Sequence, residues 1–244
     1  MADTEIRVVW IDARVDPNVT RFPSAVAASL ERDLSAPNGP KKGGRHPLPR
    51  LADWCVTVGR WGITPDTEVR VFDDKNGGLA AARCWWMLRA IGHSNVDVVS
   101  IDDVPTEGRT SRPKSPYPAL GWLAPTSTLN DVRRALKDPT RVVIDARDAR
   151  RFRGEWEPID PVPGALPGAV NVPWEEVLDL ETAYDRITTV LKGRAPTSAI
   201  VHCGSGITAC SVLLQMHRLG LRGASLYVGS YSEWCRQDDE SASS

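Results

Sequence analysis

The stretch Ala199-Ile200-Val201-His202-Cys203-Gly204-Ser205-Gly206-Ile207-Thr208 decides the fold, because the chain contains its outline twice. An apolar, largely β-branched run stops at Cys203, a glycine-rich loop follows, and a helix-like stretch from Ile207 to Leu219 is closed by Gly220. Its counterpart is Val69-Arg70-Val71-Phe72, then Asp73, a Gly77-Gly78 turn, and a helix-like stretch from Leu79 to Ile91 closed by Gly92. Glycine just past a helix is the expected C-terminal cap. A further strand follows each copy, Val96 to Ile101 and Ala224 to Val228. Strands alternating with helices predict α/β units with mostly parallel sheets flanked by helices.

Two more matches extend the repeat. Ile11-Asp12-Ala13-Arg14 returns as Ile144-Asp145-Ala146-Arg147, and Phe22-Pro23-Ser24-Ala25-Val26 is echoed by Leu166-Pro167-Gly168-Ala169-Val170. Two tandem domains of similar plan follow, expected over 1–104 and 127–236. Residues 105–126 hold Pro105, Pro113, Pro116, Pro118 and Pro125 with a basic run from Arg109 to Lys114, the composition of a linker. The polar end, 237–244, reads as a flexible tail. Thr128 is a candidate N-cap for an amphipathic stretch from Leu129 to Leu136. The first half begins almost at its strand, Ile6 to Ile11, so its domain is expected to be trimmed there.

Composition narrows the function. At about 150 residues per domain, 244 residues allow one to two domains. A hydrophobic share of 41% with a mean hydropathy of −0.28 fits a globular chain and argues against disorder. Lys and Arg number 30 against 31 Asp and Glu, leaving no basic excess for a phosphate backbone, so nucleic acid is not an expected partner. No apolar run approaches the roughly 20 residues of a membrane span. The acidic start Met1-Ala2-Asp3-Thr4-Glu5 lacks a signal-peptide core. Five widely spaced cysteines suit reduced thiols and a cytoplasmic location. Cys203 and Cys210 have no second close pair, so no metal site is expected.

The repeat also points to the site, because its copies differ where one strand ends: Asp73 in the first, Cys203 in the second. Asp73 reads as a relic of the repeat with an N-cap role. Around Cys203, two glycines relieve backbone restrictions and let amides turn inward as an anion-binding nest at a helix N-terminus. Such a place favours thiolate over thiol. Two thiol chemistries use a loop of this kind. Cysteine-dependent phosphatases close it with an arginine separated from the cysteine by five residues, where this chain has Ala209. Sulfur transfer through a persulfide needs amide donors and no guanidinium inside the loop. The loop fits the second.

The run from Cys203 to Ala209 resembles the active loop of two-domain rhodanese-like sulfurtransferases, in particular the 3-mercaptopyruvate branch. Further family-like segments are Ala82 to Arg89 with Gly92-His93, Arg151-Phe152-Arg153-Gly154, Gly229 with Ser232-Glu233-Trp234, and Gly44-Arg45-His46-Pro47-Leu48-Pro49. The resemblance implies a sulfurtransferase in which Cys203 forms the persulfide and Arg151 holds the donor's anionic group. Gly204, Gly206, Ile207 and Thr208 would line the donor site. It also implies a proton relay of Ser205 with a histidine and an acid from the first domain, here His46 and Glu31. The implied donor is a small anion, 3-mercaptopyruvate or thiosulfate. The acceptor is cyanide or a thiol, a thioredoxin-like protein included, and no cofactor is implied. A second anion-binding arginine of some mercaptopyruvate enzymes falls near Ile159 in this chain. The trimmed first domain also leaves open a non-catalytic or partner-completed persulfide-relay module.

Overall fold

The computed structural model describes residues 8–16, 19, 21–36, 43–107 and 114–236. The expected tail, 237–244, lies outside the described residues. Contacts divide the chain into two units, one of Met1–Pro37 with Pro49–Leu123, the other of Asn38–Leu48 with Ala124–Ser244.

In the first unit, β-branched runs form the strands β1 (Val8–Asp12), β2 (Ala25–Ala27), β3 (Glu68–Phe72) and β4 (Val96–Val98), with helices α1 (Leu51–Arg60) and α2 (Ala80–Ala90). The sheet order is β2-β1-β3-β4, and every pairing is parallel, with Ile11 opposite both Val26 and Val71. Val9, Ile11, Val69, Val71 and Phe72 are buried. Trp85 and Trp86 of α2 are buried too, and Trp86 stacks on Trp122 of the same unit at 6.4 Å, a packing role.

The second unit contains β5 (Thr126–Ser127), α3 (Leu129–Ala135), β6 (Val142–Asp145), α4 (Ala149–Phe152), β7 (Val170–Asn171), α5 (Leu180–Leu191), β8 (Ala199–His202), α6 (Ala209–Arg218), β9 (Ser225–Tyr227) and α7 (Ser230–Trp234). Its parallel sheet runs β5-β9-β8-β6-β7. Without β5, the order matches that of the first unit, β6 standing for β1 and β8 for β3. The central strands β6 and β8 are buried along their length, as parallel strands covered on both faces must be. Val132, Val143, Ile200 and Tyr227 are among the core residues between α3 and the sheet. Thr128 caps α3 in a full capping box with Asp131.

The repeated Ile-Asp-Ala-Arg ends each second-position strand with the same clamp. Asp12 accepts bonds from the backbone N–H and the guanidinium of Arg14, and Asp145 does so from Arg147. The arginines lie over aromatic rings, Arg14 over Phe22 at 5.2 Å and Arg147 over Tyr231 at 3.8 Å.

Two groupings differ from the sequence reading. Within the expected linker, 114–123 belong to the first unit: Lys114, Tyr117 and Leu123 donate their N–H groups to carbonyls of Gly59, Cys55 and Ala90. The carbonyls of Gly59 and Ala90 stand at the ends of α1 and α2, where helix carbonyls need such partners, and the proline-rich segment supplies them. Residues 43–48, expected in the first domain, group with the second unit through contacts to α7.

Candidate active site

Strand β8 delivers Cys203 to the buried mouth of a loop that ends where α6 begins. The cysteine is 2% exposed. Its N–H donates to Ser230 Oγ at 3.2 Å, and the carbonyls of Cys203 and Gly204 accept the N–H groups of Tyr231 and Ser232, both at 2.9 Å. The loop is thereby stitched to the first turn of α7. Gly206 sits at φ +78°, and a Cβ there would lie 2.6 Å from the Val228 carbonyl oxygen, so no other residue fits this turn without strain. Its N–H turns inward and donates to Cys203 Sγ at 3.2 Å. The N–H groups of Gly204, Ser205, Ile207 and Thr208 reach no acceptor among the described residues.

The first unit shows what such a loop holds. Asp73, at the end of β3, is 2% exposed. Its Oδ1 accepts the N–H groups of Lys75 and Gly77 at 2.9 and 2.8 Å, and its Oδ2 those of Leu79 and Ala81 at 3.2 and 3.1 Å. A carboxylate three bonds from Cα thus fills a ring of four amides. The outer sulfur of a cysteine persulfide is also three bonds from Cα.

Behind the loop, His202 is fully buried. Its Nδ1 lies 3.1 Å from the Cys203 carbonyl, which only accepts, so Nδ1 carries the proton. Burial holds the imidazole below its ordinary value. Burial would raise the Asp145 carboxyl, but the fork from Arg147 outweighs that and keeps it below the usual carboxylate range.

The basic cluster near the start of α4 separates into different roles. Arg147 is buried and committed to Asp145 and the Gly164 carbonyl, Arg153 pairs with Glu155, and Arg150 covers Trp156 at 5.4 Å. Arg151 is fixed by Asp148, which caps α4, and by Glu157, which takes its Nε and Nη2 at 3.0 and 2.7 Å. Burial would raise Glu157, and the bond from Arg151 with the N–H groups of Asp160 and Ile159 reverses that shift. Asp160 Oδ2 takes Arg151 Nη2 at 3.2 Å, while its Oδ1 takes Nη1 of Arg45. A Cβ on Gly204 would stand 2.8 Å from Arg45 Nη2 and 3.4 Å from both terminal nitrogens of Arg151.

Of the residues expected from sequence, Cys203, Ser205, His46, Arg151 and the loop come together in the second unit. His46 Nδ1 lies 2.8 Å from Ser205 Oγ. Glu31 lies in the first unit, exposed in the turn after β2. Sequence reading did not assign Arg45, Glu157 or Asp160. The glycine pair before Arg45 was the available signal, since Gly44 at φ +79° brings the backbone against the Gly229 carbonyl and seats the Arg45 N–H on Ser232 Oγ.

A strand-ending cysteine in a glycine loop at a helix start is consistent with a rhodanese-like domain, and residues 128–237 match the rhodanese-like domain family. Over 267 aligned residues the chain is 33% identical to the 3-mercaptopyruvate sulfurtransferase of Escherichia coli K12, covering 97% of this chain and 92% of that one. It is 31% identical to the mouse 3-mercaptopyruvate sulfurtransferase, with 91% and 80% covered. The crystal structure of SseA from Escherichia coli matches with a TM-score of 0.74 at 29% identity, covering 92% of each chain. The chain belongs to the two-domain rhodanese-type sulfurtransferase family, and it is a sulfurtransferase. No helix among the described residues is long and apolar enough to cross a membrane.

Proposed function

We propose that the chain moves a sulfane sulfur from 3-mercaptopyruvate or thiosulfate to cyanide or a thiol through a persulfide on Cys203. The observation that carries this reading is the pair of loops. One holds the Asp73 carboxylate in four amides; the other turns the Gly206 amide to the sulfur of a cysteine at the matching strand end. With thiosulfate, the Cys203 thiolate attacks the outer sulfur, the S–S bond breaks, and sulfite leaves with the electron pair. With mercaptopyruvate, the C–S bond breaks and the electron pair passes to carbon as the enolate of pyruvate. The proton of the donor thiol then reaches that carbon. Ser205 hydrogen-bonded to His46 is the relay for this proton, with Glu31 as its proposed acid. In the second half-reaction the acceptor takes the outer sulfur and Cys203 returns as thiolate. Acceptors would include a thioredoxin-like protein. The five free cysteines support a reducing, cytoplasmic setting.

The test is intact-mass analysis after incubation with each donor, in wild type and in Ser205→Ala. One added sulfur on Cys203 is expected with wild type, with selective loss from mercaptopyruvate in the variant. No adduct with either donor overturns the persulfide route, and equal effects on both donors overturn the relay.

A further inference from the structure

The position where a second anion-binding arginine is expected holds Ile159, which is 55% exposed and has no charge to offer. The neighbouring Asp160 does something else. Its side chain is fully buried and hydrogen-bonds Arg45 on one oxygen and Arg151 on the other, with Arg236 Nη1 3.8 Å from the first oxygen. These partners are 115 and 9 residues away in sequence. Each arginine is held by one edge only. Arg45 gives Nη1 to Asp160 and its backbone N–H to Ser232, while Arg151 gives Nε and Nη2 to Glu157 and Asp160. Arg45 Nη2 and Arg151 Nη1 have no partner among the described residues. Both lie within 3.4 Å of the point where a Cβ on Gly204, the residue after Cys203, would stand.

On the sulfurtransferase reading above, we propose that Arg45 is the second donor-binding residue of the site. Its Nη2 and Arg151 Nη1 converge over Gly204 and grip a carboxylate or sulfonate headgroup beside Cys203. Asp160 is the positioning residue that sets the angle between the two forks. The grip requires an anion with at least two oxygens, because two separated N–H edges must each find an acceptor. Gly204 is part of the same device, since any side chain there occupies the space in which the guanidinium edges meet.

The experiment follows Cys203 alkylation by iodoacetate and by neutral iodoacetamide, located by peptide mass, in wild type, Arg45→Gln and Arg45→Lys. Persulfide formation is measured alongside over a range of thiosulfate and mercaptopyruvate concentrations. In Arg45→Gln the iodoacetate rate is expected to fall about 10-fold relative to iodoacetamide, as loss of one charged hydrogen bond implies. The second-order rate of persulfide formation falls about 10- to 100-fold, while the rate at saturating donor stays near wild type. Arg45→Lys restores the iodoacetate rate but not the donor rate, because an ammonium supplies charge without the fork. An effect confined to mercaptopyruvate assigns a carboxylate to the grip, and one confined to thiosulfate assigns a sulfonate. An unchanged alkylation ratio overturns the proposal, as does a lowered ratio with both donors unaffected. A wild type that forms no persulfide with either donor overturns the sulfur-transfer reading instead, and the alkylation ratio still decides the anion grip.

Discussion

Replacing Cys203 by aspartate tests whether its loop is built for an anion three bonds from Cα. In the first unit, that geometry gives a carboxylate four backbone donors at 2.8–3.2 Å. Hydrogen bonds to a charged group contribute about 1.5–3 kcal/mol each. Desolvating a carboxylate costs several kcal/mol. Taking the low end for all four bonds leaves a net of about 2 kcal/mol in favour of Cys203→Asp over Cys203→Ala. For a chain of this size that is a rise of about 4–8 °C in the transition of the second unit, read by calorimetry at pH 7. The carboxylate form carries the effect, so the difference is present at pH 7 and is lost once acid protonates that carboxylate. Wild-type protein treated with donor should shift upward as well, because the proposed persulfide anion would reach the corresponding amides of its own loop. Should Cys203→Asp melt at or below Cys203→Ala at pH 7, the amides do not converge on that point, and the likeness of the two loops has no chemical content.

Two further outcomes follow from the geometry. Gly204→Ala places a methyl group 2.8 Å from Arg45 Nη2, and its φ lies outside the left-handed region. The donor KM should therefore rise about 10-fold with the melting temperature kept, and an unchanged KM would remove Gly204 from the donor site. His202 is held neutral by burial, whereas the unfolded chain takes up a proton near its ordinary value of 6.5. Below that pH the unfolded state binds the extra proton, so stability falls as pH drops from 6.5 toward the lower folded value. In His202→Asn, denaturation between pH 5 and 6.5 should show a smaller pH slope than wild type. An identical slope would show that His202 does not titrate in that way.

The sheet was legible because its signal is local. Val142-Val143-Ile144 and Ala199-Ile200-Val201 have the apolar, β-branched character that a doubly covered parallel strand requires, and the duplicated Ile-Asp-Ala-Arg fixed which strands correspond. Gly92 and Gly220 marked where α2 and α6 stop, and their N–H groups bond back to Arg89 and His217. Cys203 stood out because its counterpart was Asp73. The contact of His46 with Ser205, across 159 positions, came from family resemblance and from no pattern in the chain. Arg45 and Asp160 gave less. Both lie in segments without periodicity, and the pairing between them depends on the path of two loops. Nor did the proline content of 114–123 reveal that its amides would finish the helix ends of the first unit.

Why the proposed chemistry falls to one half of a duplicated fold is answered at the strand ends. In the first unit the anion is covalently attached, so an external donor would compete with a carboxylate at an effective concentration in the millimolar range or above. Displacing Asp73 would also leave a buried carboxylate without its four donors, a loss no single small-molecule headgroup makes good. In the second unit a thiol stands in that place, and one of the surrounding amides already turns to its sulfur. A sulfur that gains a second sulfur extends its charge by one bond, toward the amides that Asp73 occupies in the other loop. On the proposed persulfide route the reacting state is then the one in which the second loop most resembles the first. An exchange of Asp73 for a neutral residue should therefore open an anion site in the first unit without making it a sulfurtransferase, since no thiol is placed there to take the sulfur.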